Sequence, residues 1–142
     1  MNKYILTYLA FSISILIAKN FNLQVEANSL RNSKGVVTFY LYNKDNTIPD
    51  KNFQKFYKKQ SSYIKNQKAV ATFENLQEGN YAIVAFHDEN NNGKVDKKFM
   101  KPKEGIGFSN FSSISIFNKP NFKKASFFLN KDSKKSIKVI YF

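Results

Sequence analysis

The run His87-Asp88-Glu89-Asn90-Asn91-Asn92-Gly93-Lys94-Val95-Asp96 holds the residues whose types and spacing best suit chemistry. Counted from Asp88 it reads D-x-N-x-N-G-x-x-D, the order in which a calcium loop sets out its oxygen ligands. Calcium takes about six to eight hard oxygens, and side chains at the first, third and fifth positions converge when such a loop curls. Asp88, Asn90 and Asn92 fill those positions, and Gly93 permits the sharp bend. Lys94 offers its backbone carbonyl, and Asp96 closes the ring directly or through water. The twelfth position, where an EF-hand places a bidentate glutamate, holds Phe99, so Glu104 or Glu89 must supply the missing carboxylate. Two amides in place of carboxylates, with Lys94, Lys97 and Lys98 close by, point to weak binding, about 10⁻⁴ to 10⁻³ M. A metal-free alternative exists, because Asn92-Gly93 is also a type I′ turn signal that fits a polar hairpin tip. Asp88, Glu89, Asp96 and Glu104 are four of the ten acidic residues in a chain of net charge +13, and this gathering favours the ion.

His87 is the only histidine and adjoins Asp88. It can serve as a ligand, as a base, or as a group orienting the loop. The plainer expectation is a histidine closing a strand end and hydrogen-bonded to backbone. No thiol, nucleophile elbow, zinc helix motif or phosphate loop accompanies it. A non-enzymatic protein is therefore expected. The alternative is a small periplasmic hydrolase or sugar-processing enzyme using His87, Asp88 and Glu104. In the segment Pro102 to Asn110, Gly105 and Gly107 flank Ile106 and suggest backbone in special conformations. Phe108 is expected to anchor this segment on the core. Together with Asn110 it can form a contact surface beside the ion, or simply a connection folded over the end of the domain.

The surrounding chain has the period of strands. Phe21, Leu23, Val25 and Ala27 alternate with polar residues, and Val36 to Tyr42 is rich in β-branched and aromatic residues. With Leu30 to Gly35 as a turn, in which Gly35 takes a positive φ, these two are expected to form a hairpin. Asn43 to Lys68 reads as a short amphipathic helix or an irregular crossover, its Phe53, Phe56 and Tyr57 packing on a sheet. Further strands are expected at 69–76, 81–87, 125–129 and 136–141, with a turn at 130–133 and a short edge segment at 112–117. The expected fold is a mainly β, single immunoglobulin-like or prealbumin-like antiparallel sandwich of about seven strands, covering residues 21–142.

Met1-Asn2-Lys3 followed by an uncharged run from Tyr4 to Ala18 has the layout of a secretory signal peptide. Residues 1–20 are therefore expected to be a signal peptide or an N-terminal anchor, with 4–18 as a possible membrane tether. Export places the domain in the periplasm, on the envelope or outside the cell. The absence of cysteine excludes disulfides and thiolate zinc sites. The net charge suggests anionic partners. Arg31, however, is the only arginine among the 23 basic residues, and nucleic-acid readers rely on arginine for bidentate contacts, so no nucleic acid is expected. A third reading has the lysines hold anionic envelope polymers.

Several of these stretches together resemble the bacterial family known as domain of unknown function 2141. The likeness rests on Gly35 with Val36 to Tyr42, on Phe73-Glu74-Asn75-Leu76, and on Gly79-Asn80-Tyr81-Ala82. It continues in Phe86 to Asn90 with Asn92-Gly93-Lys94 and Asp96, in Pro102 to Gly105, and in Gly107 to Asn110. The resemblance implies an exported domain. The Leu76 to Tyr81 turn is also similar to one in transthyretin-like and collagen-adhesin repeat sandwiches. The expectation drawn from all of this is a monomeric exported binding module, stabilised by calcium, whose partner is an envelope protein or polysaccharide.

Overall fold

The computed structural model describes residues 18–142. The signal or anchor segment expected at 1–20, with its possible tether at 4–18, lies outside the described residues up to residue 17. Among those described, no helix is long and apolar enough to cross a membrane. The chain forms β1 (Asn20–Asn28), β2 (Val36–Tyr42), β3 (Lys58–Tyr63), β4 (Ala69–Gln77) and β5 (Gly79–Asp88). There follow β6 (Lys97–Lys98), β7 (Lys101–Pro102), β8 (Gly105–Phe108), a one-turn helix α1 (Phe122–Ala125), β9 (Phe127–Leu129) and β10 (Ser133–Lys138).

Two sheets face each other. The first is three-stranded, β10-β1-β4, with β10 parallel to β1. The second is five-stranded, β3-β2-β5-β8, with β9 beside the start of β5. The main core lies between them. Phe21, Leu23, Val25 and Ala27 of β1 and Phe73 of β4 meet Val37, Phe39 and Leu41 of β2 and Ile83 and Ala85 of β5. A second core covers the outer face of the five-stranded sheet, where Tyr40, Tyr42, Val84 and Phe86 meet Ile48, Phe108, Phe111 and Phe122.

This layering corrects the expected hairpin. β1 has one buried face and alternates, whereas β2 is buried along nearly its whole length. A strand apolar on both faces belongs in the middle of a stack. The segment Leu30 to Gly35 accordingly crosses from one sheet to the other. Gly35 has φ +68°, and a Cβ there would overlap the Asp88 carbonyl oxygen.

Residues 43–57 form an irregular crossover, not a helix. The Asp50 carboxylate accepts the Lys55 backbone N–H at 2.6 Å and the Tyr42 hydroxyl at 3.2 Å, so local side-chain bonding displaces helical bonding. Phe53 stacks on Tyr40 with ring centroids 4.1 Å apart, as expected of an aromatic stripe on a sheet. The second half of the stretch is the edge strand β3. No strand forms at 112–117, and β10 ends earlier than expected, at Lys138.

Candidate functional site

β5 delivers its last two residues to opposite faces, because side chains alternate along a strand. His87 points inward. Its ring is 0% exposed, with Nε2 2.8 Å from the Lys34 carbonyl and Nδ1 2.6 Å from the Tyr141 hydroxyl. A carbonyl only accepts, so Nε2 carries a proton, and Nδ1 is bonded to the tyrosine hydroxyl. The Tyr141 oxygen in turn accepts the Arg31 backbone N–H at 3.2 Å. Asp88 points outward. Its Oδ1 accepts the N–H of Asn92 at 3.1 Å and its Oδ2 that of Gly93 at 2.7 Å.

The predicted ligand positions are brought together. The side-chain amides of Asn90 and Asn92 both donate to Asp96 Oδ2, at 2.7 and 3.1 Å. Asn90 Oδ1 accepts the Asn92 N–H at 3.2 Å, and Asn92 Oδ1 accepts the Lys94 N–H at 2.9 Å. Glu104 joins them from the next strand connection. Its Oε1 takes the N–H of Glu89 at 3.0 Å and its Oε2 that of Asp96 at 3.1 Å, so one carboxylate clasps both ends of the loop. Burial pushes the Glu104 carboxyl up, the two N–H bonds hold it down, and the charges of Asp88 and Asp96 push it up again.

The loop is not a hairpin tip. β6, which follows it, pairs with β7 and not with β5. Positive φ occurs at Asn91 (57°) and Gly93 (73°) but not at Asn92, so Asn92-Gly93 makes no type I′ turn. Among the described residues no group of three His, Cys, Asp or Glu side chains gathers to hold a metal. Any ion here must draw on asparagine and backbone oxygens as well as carboxylates.

Glu89 is turned away from the loop. It accepts from Arg31 Nε at 2.7 Å, from Arg31 Nη2, and from Asn32 at 2.7 Å. The Arg31 bond brings the Glu89 carboxyl down to about 2 against the opposing effect of burial. Arg31 also lies over the Tyr141 ring, 4.6 Å from its centroid, and donates to the Lys103 carbonyl at 3.1 Å. Sequence reasoning missed this clamp of Arg31, Asn32 and Tyr141. Its one local signal was the lone arginine in a lysine-rich chain.

The stretch 105–110, expected as a contact surface or as a connection over the end of the domain, is for the most part a strand. Gly105 to Phe108 is strand β8, paired to β5 and mostly buried. The two glycines are demanded by close approach and not by unusual φ. A Cβ on Gly105 would come within 2.5 Å of Tyr141 and Val139, and one on Gly107 within 2.5 Å of the Lys138 carbonyl oxygen. Phe108 anchors the second core, edge-on to Phe111. Asn110, which alone of the group is exposed, spends its amide on the carbonyls of Lys124, Ala125 and Ser126. His87, Asp88 and Glu104 therefore do not share an open cleft.

An open groove of about 630 Å³ does lie beside the loop, on the outer face of β2 and β3. Register places Tyr63 opposite Val36, Ser61 opposite Thr38 and Lys59 opposite Tyr40, all on that face. Asp88, Asn91, Asn92 and Gly93 form its other wall. The sequence profile of a bacterial family, described as "Uncharacterized protein conserved in bacteria (DUF2141)", matches residues 25–138. The chain belongs to that family. The match runs from β1 to the end of β10, so it takes in both sheets, the loop and Glu104. No curated protein and no solved structure matches the chain.

Proposed function

We propose that this member of the family is an exported, non-enzymatic binding module of the periplasm, envelope or secreted fraction. Calcium completes the Asp88–Asp96 loop, and the adjoining groove seats an envelope protein or polysaccharide. The observation that carries this reading is the convergence of Asn90, Asn92 and Asp96 within a loop clasped at both ends by Glu104. Each oxygen of Asp88 gives one lone pair to a backbone N–H and keeps another for an ion. A half-turn of the Asn90 and Asn92 amides brings their oxygens toward Asp96 and breaks their bonds to the N–H groups of Asn92 and Lys94. That exchange costs about 0.5–1.5 kcal/mol per bond, which keeps the affinity in the weak range expected of extracellular modules.

A catalytic role for His87 finds no support in a ring that is fully buried with both nitrogens engaged. The groove beside the loop suits a sugar or a polar peptide. It offers hydroxyls at Thr38 and Ser61, the amide of Asn91, and the 85% exposed Tyr63. Thermal unfolding in EDTA and then in millimolar calcium tests the ion. A ligand held only by the folded state raises the midpoint. The expected result is a rise that Asp88→Ala abolishes; no rise up to about 10 mM, above the weak end of such sites, overturns the calcium reading.

A further inference from the structure

We infer that the hairpin of β6 and β7 is a docking tip for an anionic lipid surface. The two strands pair Lys98 with Lys101, which leaves Phe99-Met100 as a two-residue turn. Both turn residues have positive φ, 50° and 65°, the type I′ geometry that ordinarily selects Asn-Gly. Large side chains in that region strain the backbone. Here the strain serves to hold two apolar side chains in water, Phe99 88% and Met100 95% exposed. Neither belongs to a core: Phe99 meets the Lys98 ammonium 5.8 Å above its ring, and Met100 lies at the rim of an apolar groove with Phe53, Val95 and Ile106.

The surroundings say what covers them. The sequence around the tip is Lys97-Lys98-Phe99-Met100-Lys101-Pro102-Lys103, four lysines, flanked by Asp96 and Glu104, whose carboxylates are engaged in the loop. Among the described residues, Asp50 is the one carboxylate lining the groove beside Met100. On one side Lys98, Phe99, Lys103 and the 50% exposed Phe142 line a groove of about 510 Å³ with Arg31 and Pro102. Exposed apolar residues in a lysine-rich stretch suit a bilayer interface, where rings and thioethers enter the acyl boundary and lysines meet the headgroups. A protein interface fits less well. Lysine is depleted at the centres of such interfaces, and a two-residue tip falls far below the area a specific complex buries. This inference is independent of the calcium loop.

The chain has no tryptophan, so Phe99→Trp gives a single reporter at the tip, and Tyr63→Trp gives one on an exposed edge strand elsewhere. Both are made in the full chain and mixed with vesicles of phosphatidylglycerol and phosphatidylcholine. Whatever else brings the chain to the vesicle, only an inserting tip takes residue 99 out of water. The expected result is a blue shift at position 99, with at least about twofold quenching by brominated lipid and none at position 63. It is lost in neutral vesicles, in about 0.5 M salt, or when Lys97→Glu and Lys98→Glu are added. The double variant Phe99→Asn, Met100→Gly is expected to unfold at a higher temperature, because it restores the preferred turn. A tryptophan at 99 that stays water-exposed on anionic vesicles overturns the inference. So does self-association that requires Phe99, or a lowered midpoint in the double variant.

Discussion

Asp88 and Glu104 are the two acidic side chains hidden most completely among the described residues, each 3% exposed, and each gives both oxygens to backbone N–H groups. Removing either leaves orphaned donors, so Asp88→Ala and Glu104→Ala should each cost about 1–3 kcal/mol in denaturant unfolding. Glu89 and Glu104 oppose each other in their pH dependence. Glu89 sits at about 2 against an ordinary 4.5. The stability it contributes is present above 4.5 and is lost as pH falls toward 2. Glu104 is raised, so its contribution is full below its unfolded value and is lost as pH rises through the folded one. Unfolding midpoints measured from pH 7 to 2 should therefore show a shallower acid loss in Arg31→Ala and a steeper one in Glu104→Gln. Arg31→Lys should behave like the alanine variant, because an ammonium cannot reproduce the two-pronged bond to Glu89. The loop positions were legible because calcium spacing is local in sequence. The Arg31–Glu89–Tyr141 clamp was not, because its members lie about 50 residues or more apart and meet only through the sheets.

At the scale of elements, alternation located β1 and β-branched and aromatic content located β2, but both were silent on which sheet holds each. Sheet membership follows from how many faces are buried, and that depends on the loops that cover the second face. β8 escaped notice because Gly105-Ile106-Gly107-Phe108 offers too few side chains for a period to show. Its glycines exist to let residues 137–141 lie directly against it. Gly105→Ala and Gly107→Ala should each cost about 1–3 kcal/mol, the usual penalty of overpacking. Gly107→Ala should be the worse, since its neighbour is a backbone carbonyl that cannot rotate away. Denaturant midpoints of the two variants check this, and equal, negligible shifts would show that β8 can move off the C-terminal segment. β3 was hidden for another reason. Lys58-Lys59-Gln60-Ser61-Ser62-Tyr63 has the polar make-up of an edge strand, where charge deters pairing with other chains.

For the whole molecule, the two cores divide the labour. The inner one holds the sheets together, and the outer one fixes the crossover and the 95–125 loops over β2, β5 and β8. The outer layer stops short of the upper end of β2 and β3, and the groove beside the Asp88–Asp96 loop is what remains. On the proposed reading, an ion in the loop would stiffen one wall of that groove and so would couple calcium to partner binding. The most direct measurement follows backbone amide NMR signals of the protein during a calcium titration. Saturable shifts are expected at Asn92, Gly93, Lys94 and Asp96, with a dissociation constant of about 10⁻⁴ to 10⁻³ M. They should be weak or missing with magnesium, which demands a smaller and more regular oxygen cage. Signals in the loop that stay fixed up to about 10 mM calcium would contradict the calcium reading, and would leave the loop as a turn held by Glu104 and its own hydrogen bonds alone.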